Sequence, residues 1–180
     1  EEERDLSSRS IRGVDNKSGP VRDDPGDILA QMQVPFSTTS GMAFDGEMLW
    51  GCSYSNDRLM SVDINELEVV LNINIHDQPM SMTFDGENLW VGQWSNETVR
   101  IYDLEGEMIE QFNLGFRQMA GMGSDREEFV YINSLDNRTI RIISIEDREQ
   151  VGVINYQAAM NNAEVWGIDW VPDHQNGQLW

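Results

Sequence analysis

One stretch of sequence occurs twice, and it constrains the fold more than any other feature of the chain. Residues 41–56 and 81–96 are identical at nine of sixteen positions, without a gap and at an offset of 40 residues. Both copies contain Phe-Asp-Gly-Glu followed by Leu-Trp, which indicates a strand, a tight turn and a second strand. A repeat of this length is typical of solenoids, propellers and other arrays of similar units.

Short apolar segments separated by turn residues continue through the whole chain. Four of them lie in residues 37–76, with turns at Asp45-Gly46, Ser55-Asn56 and Asn65-Glu66. Four strands in about 40 residues are the sequence signature of one β-propeller blade. We therefore predict an all-β fold, a β-propeller of four-stranded antiparallel blades. Its three full blades span residues 37–76, 77–116 and 117–157, and a partial fourth begins in residues 158–180.

The two ends of the chain depart from this repeat. Residues 1–26 hold few apolar side chains and are predicted to be a flexible polar leader or linker. Residues 27–36 are predicted to form a lone outer strand, because residues 27–34 align with residues 107–114, the fourth strand of a blade. The fourth blade contains only its first strand and the start of its second. We therefore expect either a fragment of a longer propeller or a subunit that closes its ring with other subunits.

The blades resemble those of the NHL, YVTN and virginiamycin B lyase-like group of propellers. A blade of that group reads Gly-apolar-small-aromatic-Asp-Gly, then Leu-Trp-Val, a polar turn, and an apolar strand that ends in Asp. Residues 41–46, Leu49-Trp50 and residues 59–63 follow this order. The resemblance implies a propeller over residues 27–180. It implies little about function, because such blades occur in lyases, hydrolases, secreted binding modules and scaffolds alike.

The charge of the chain limits its partners. The formal net charge is −20, and residues 27–180 contain 25 acidic residues against seven arginines. A surface of this kind repels phosphate backbones, so we expect no nucleic-acid partner. No run of about 18 apolar residues occurs, so no membrane span is predicted. The regular repeat and the acidic charge favour an extracytoplasmic location, meaning periplasmic, surface or secreted.

Candidate ligand-binding residues follow from the geometry of a blade. Successive connections alternate between the two faces of the disc. Loops between the fourth and first strands therefore share a face with turns between the second and third strands. Related propellers bind ligands on that face, around the central channel. The polar residues predicted to lie there are His76, Asp77, Gln78, Arg117, Gln118, Asn161 and Asn162. The Asp-Gly turns lie on the opposite face and are predicted to be structural.

No cofactor is predicted, apart from an alternative in which Glu164 and Asp169 bind a divalent cation such as calcium. Asp169 stands where the other first strands have Ala, Thr and Gly. These strands crowd the axis, so the Asp169 carboxylate is expected in the channel, either hydrated or as a ligand. The two histidines lack zinc-ligand spacing. Cys52 is the single cysteine, which excludes an intramolecular disulfide, and it is predicted to be a core residue.

Three functions stay open at this point. The first is a non-catalytic binding or interaction domain with a protein or small-molecule ligand, part of a larger extracytoplasmic or surface protein. It is favoured by the regular repeat and by the lack of a nucleophile–base motif. The second is a metal-dependent lyase or hydrolase with its site on the channel-mouth loops. The third is an assembly unit that closes a propeller by homo-oligomerisation.

Overall fold

Three four-stranded antiparallel sheets make up most of the protein. The structure is a computed structural model, and it describes residues 31–36, 38–159, 161, 163–172 and 178–180.

Each sheet keeps its strands in chain order, as a propeller blade does. Blade 1 contains β1 (Gly41–Phe44), β2 (Met48–Ser53), β3 (Arg58–Asp63) and β4 (Glu68–Asn74). Blade 2 contains β5 (Pro79–Phe84), β6 (Leu89–Gln93), β7 (Thr98–Tyr102) and β8 (Met108–Asn113). Blade 3 contains β9 (Met119–Ser124), β10 (Phe129–Ser134), β11 (Thr139–Ser144) and β12 (Gln150–Asn155). The predicted fold class is confirmed.

The repeated Asp-Gly turns are structural, as the sequence predicts. The Oδ1 atom of Asp45 accepts hydrogen bonds from the backbone N–H groups of Glu47 and Met48, both at 2.7 Å. Its Oδ2 atom accepts a 2.7 Å hydrogen bond from Nε1 of Trp50. Gly46 follows with a φ of +111°, which only glycine adopts without strain. One carboxylate therefore closes the turn and orients the tryptophan of the next strand.

Asp45 makes the stability of blade 1 depend on pH. Partial burial raises the pKa of Asp45, but the hydrogen bonds from Trp50, Met48 and Glu47 outweigh it, so the pKa lies below 3.8. A carboxylate with a lowered pKa stabilises the fold above its unfolded-state pKa, and this contribution is lost as the pH falls through the folded-state pKa. We expect Asp45→Asn to destabilise the protein at about pH 6 and to cost less at about pH 3. Urea unfolding of both proteins at both pH values measures the difference, and an equal cost at both would contradict the prediction.

The repeated tryptophans fill the space between consecutive blades. Trp50 is 1% exposed and packs with Met82, Phe84 and Leu89 of blade 2. Trp90 is fully buried and packs with Met119 of blade 3. These contacts belong to two separate apolar clusters, one at each blade interface. Each blade is therefore stabilised by packing against its neighbour, as in other repeat architectures.

Blade 3 differs from the first two by one extra residue in its first turn. Phe44 pairs with Leu49, and Phe84 pairs with Leu89, but Ser124 pairs with Val130. As a result Tyr131, opposite Gly123, takes the place that Trp50 and Trp90 hold in their blades. Its ring stacks on Trp170 with the centroids 5.1 Å apart. A gap-free alignment with blades 1 and 2 puts Val130 at this position. The extra residue is hard to detect in the sequence, because blade 3 has neither the turn glycine nor the tryptophan of the repeat.

A fourth blade begins after blade 3. Trp170 forms an antiparallel bridge with Leu179. Asp169 and Trp180 exchange two backbone hydrogen bonds of 2.7 and 2.8 Å, which places Trp180 opposite Asp169 as Trp50 lies opposite Ala43. The segment runs beside β9, since a Cβ on Gly123 would lie 3.0 Å from the Cα atom of Asp169. The predicted start of blade 4 is therefore present.

Residues 31–36 form no strand, although the sequence predicts an outer strand over residues 27–36; residues 27–30 lie outside the described residues. Phe36 instead packs on Met60 and Val62 of blade 1, and Met32 and Val34 join this small cluster. The predicted outer strand would pair with the third strand of another blade, and no such strand is among the described residues. Phe36 is buried, and Met32 and Val34 are partly buried, against the side of blade 1 that faces away from blade 2. No helix long and apolar enough to cross a membrane occurs in the described part of the chain.

The first strands of the blades meet closely at the axis. A Cβ on Gly41 would lie 2.7 Å from the backbone nitrogen of Met82, so β1 and β5 approach backbone to backbone. Arg126 reaches across the same axis, and its Nη2 atom donates a 2.8 Å hydrogen bond to the carbonyl oxygen of Phe44. Its guanidinium also lies 5.4 Å from the ring centroid of Phe84. This side chain therefore joins blades 1 and 3.

Candidate functional site

The connections between strands lie on two faces of the propeller, which we call the loop face and the turn face. The loop face carries residues 54–57, 75–78, 94–97, 114–118 and 135–138, and the turn face carries residues 45–47, 64–67, 85–88, 103–107, 125–128 and 145–149. Hydrogen bonds hold the loop face together. The backbone N–H of Trp94 donates to the carbonyl of Gln78, and the N–H of Gln118 donates to the carbonyl of Trp94, both at 3.1 Å. The turn between β6 and β7 is thereby fixed to the loop before blade 2 and to the loop after it.

The loop at 76–78 is tied to the blades by its own polar groups. His76 is exposed and has a φ of +56°. Asp77 forms an ion pair with Arg100, whose Nη1 atom also donates to the Ile75 carbonyl at 2.6 Å. The N–H of Gln78 donates to Oδ1 of Asp57 at 2.8 Å, and its side-chain oxygen accepts from the Ser95 hydroxyl. Asp77 and Gln78 are thus engaged in fixing the loop.

The loop at 117–118 has a similar arrangement. Nε of Arg117 lies 3.6 Å from a carboxylate oxygen of Glu97, and both side chains are partly exposed. The Arg117 carbonyl accepts a 3.0 Å hydrogen bond from the Ser134 hydroxyl. Gln118 is bonded through its backbone on both sides, since its carbonyl also accepts from the Leu135 N–H at 3.2 Å. These contacts join blades 2 and 3.

The remaining predicted site residues belong to the connection that follows blade 3. Asn161 is exposed with a φ of +50°, and Asn162 lies outside the described residues. Glu164 and Asp169 are both exposed, and the Oδ1 atom of Asp169 accepts a 2.8 Å hydrogen bond from the Trp170 N–H. Among the described residues no group of three His, Cys, Asp or Glu side chains is placed to hold a metal ion. The calcium site stays a prediction.

Three aromatic side chains that the sequence analysis did not select lie together on the loop face. Trp94 stacks on Trp166 with centroids 5.9 Å apart and planes inclined by 13°. Tyr54 meets Trp94 edge to face at 6.3 Å. Trp166 is 52% exposed, whereas Tyr54 and Trp94 are half-buried. The signal in the sequence was an aromatic residue directly after the second strand at positions 54 and 94, inside a turn that otherwise contains polar residues.

A cavity of about 420 Å³ lies along the axis, lined by the first strands of the blades and by residues 166–170. Trp166 lines it near the loop face, and Asp169 lines it three residues further on. Ser81 also lines it, but the Ser81 hydroxyl is buried at the interface of blades 2 and 3, where it has no hydrogen-bond partner among the described residues. The volume is in the range of small-molecule sites. The cavity thus combines an exposed aromatic ring and an exposed carboxylate.

The chain matches no protein-family model and no curated protein. Its structure is similar to solved propeller structures. Glutaminyl cyclase of Myxococcus xanthus matches with a TM-score of 0.61 and 14% identity over 78% of this chain and 66% of that chain. Hydrazine synthase of Kuenenia stuttgartiensis matches with a TM-score of 0.62 and 18% identity over 80% and 42% of the two chains. The Pan2 WD40 domain of Neurospora crassa matches with a TM-score of 0.55 and 12% identity over 75% and 44%.

These similarities concern the fold alone, because all three identities are below 25%. The chain spans less than two thirds of the length of each of the three proteins. Their activities differ from one another, as is usual for proteins that share a fold. The comparisons and the blade topology together show that this chain has a β-propeller fold.

Proposed function

We propose that this propeller is a binding domain and that its ligand binds in the axial cavity against Trp166. The observation that carries the proposal is the half-exposed Trp166 ring, which lines the cavity and is supported from behind by Trp94. A large apolar ring that remains exposed beside a cavity offers contact area to a ligand at small entropic cost, because its orientation is already fixed.

The surrounding loops support a preformed site. The turn that carries Trp94 is hydrogen-bonded on both sides, to Gln78 and to Gln118. The residues predicted to bind ligand at 76–78 and 117–118 would then act by positioning this turn. They would not need to contact the ligand themselves.

A non-catalytic role fits the chemistry of the thiol. Cys52 is fully buried between blades 1 and 2, and burial raises its pKa to about 11. A neutral, inaccessible thiol is a poor nucleophile. We also infer that the blades belong with the NHL, YVTN and virginiamycin B lyase-like group, on the basis of the Phe-Asp-Gly and Leu-Trp order that blades 1 and 2 share.

Two variants with equally exposed tryptophans test the site. Trp166 and Trp180 are 52% and 54% exposed, but only Trp166 is among the residues that line the cavity. We expect Trp166→Ala to weaken the binding of ligands at least about tenfold, because an anchoring aromatic contact contributes about 1–2 kcal/mol or more. Trp180→Ala should leave binding unchanged.

Ligand-observed NMR with a library of small polar fragments measures both effects, and circular dichroism verifies that both variants are folded. The proposal fails if no fragment binds the wild-type protein, or if the fragments that bind are retained by Trp166→Ala.

A further inference from the structure

The two faces of the propeller differ strongly in charge. The six turn-face segments contain fourteen acidic residues and two arginines, Arg126 and Arg148. The five loop-face segments contain four acidic residues and two arginines. The axial cavity therefore lies between a face with nearly balanced charge and a strongly negative face. Low-dielectric walls concentrate such a field inside a cleft.

The two charged groups of the cavity differ in how they are engaged. Asp169 and Arg126 are the two charged residues that line it. The Arg126 guanidinium is already engaged by the Phe44 carbonyl and the Phe84 ring. The Asp169 carboxylate is exposed and accepts one short-range hydrogen bond, from the neighbouring Trp170 N–H. A carboxylate in a cavity attracts a cation, and its acceptor positions can also take a hydrogen bond from an N–H or O–H group of the ligand.

Trp166 gives a further contact of matching chemistry. The face of an indole ring is negative and attracts ammonium and guanidinium groups within about 6 Å. The indole ring and the Asp169 carboxylate of one cavity thus both favour a cation.

We infer that the axial cavity binds an organic cation, a ligand that carries an ammonium or guanidinium group, with Trp166 as the aromatic surface and Asp169 as the counter-charge. This inference rests on the proposed function and specifies its ligand class. A free small amine and the basic side chain of a peptide share this chemistry.

The test compares charged probes with an uncharged one of the same shape. Choline and its neutral isostere 3,3-dimethyl-1-butanol are titrated into the protein, and N-acetyl-lysine amide represents a basic side chain. Binding is followed by tryptophan fluorescence and by the NMR signals of the indole N–H groups. We expect at least one of the two cations to bind about tenfold more tightly than the neutral isostere. Whichever cation binds more tightly identifies the source of the charge.

Asp169→Asn keeps the size of the side chain and removes its charge, so it is expected to reduce the preference for the cation about tenfold without unfolding the protein. Trp166→Ala should weaken all three probes, and Trp180→Ala should weaken none.

Two failures are distinguishable. If the neutral isostere binds as tightly as the cations and Trp166→Ala still abolishes binding, the ligand class is wrong and the binding site stands. If Trp166→Ala changes nothing, or no probe or fragment binds, both the inference and the proposed function are wrong. An unchanged cation preference in Asp169→Asn also overturns the inference.

Discussion

Replacing Trp90 by Ala is expected to lower the free energy of unfolding by about 3–5 kcal/mol. The indole ring is fully buried between blades 2 and 3, so its removal leaves a large cavity. The ring also meets Phe112 edge to face at 5.4 Å, and the Arg148 guanidinium lies 4.9 Å from its centroid. Its Nε1 atom donates a 2.6 Å hydrogen bond to Asp85. All of these contacts are lost together in Trp90→Ala.

Urea unfolding followed by circular dichroism measures this loss. Trp180→Ala is the matched control, because Trp180 holds the same position in the repeat but is 54% exposed, and a much smaller loss is expected. Trp90→Phe separates packing from hydrogen bonding. It keeps most of the ring volume and loses the Nε1 donor, so an intermediate loss of about 1–3 kcal/mol is expected. Equal losses in Trp90→Ala and Trp180→Ala would show that blades 2 and 3 do not pack through Trp90.

Replacing Gly41 by Ala is expected to destabilise the protein by about 1–3 kcal/mol. The added Cβ would lie 2.7 Å from the Met82 nitrogen and 2.9 Å from the Cα atom of Ser81. These are backbone atoms of β5, so no side-chain rotation relieves the clash, and blades 1 and 2 must move apart at the axis. The contacts of Trp50 with blade 2 are then weakened as well.

Gly167 supplies the control for this substitution. A Cβ on Gly167 has nothing within 4 Å, although the residue lines the same cavity. We expect Gly167→Ala to change stability by less than about 0.5 kcal/mol. Thermal and urea unfolding of the two variants measure the difference between them. A neutral Gly41→Ala would mean that β1 and β5 do not approach as closely as the structure indicates.

The blade architecture could be predicted because each strand and turn has a local cause. Asp45 and Asp85 close their turns through contacts within five residues, so their role is visible in the repeat itself. The extra residue in the first turn of blade 3 could not be found by a gap-free alignment. Its consequence, Tyr131 in the tryptophan position, depends on pairing with Gly123 and on stacking with Trp170.

The candidate site was harder to predict, because its parts come from different blades. Trp94 and Trp166 are 72 positions apart in the sequence, and nothing in the local sequence of either indicates that their rings stack. Polar residues of the loops were selected instead, since loop residues commonly bind ligands. In the structure Asp77, Gln78 and Gln118 use their polar groups to fix the loops. Asp169 was selected for its place in the repeat, and it does line the cavity.

The contact of Arg126 with the Phe44 carbonyl has a consequence for the order of folding. The two residues are 82 positions apart, and the contact joins blades 1 and 3 without involving the backbone of blade 2. Closing a chain segment of that length has an entropic cost, and it becomes favourable only after blade 2 has brought the other two blades together. Blades 1 and 2 can therefore pair early, whereas the Arg126 contact forms late. We therefore expect the turn-face end of the axis to become structured last.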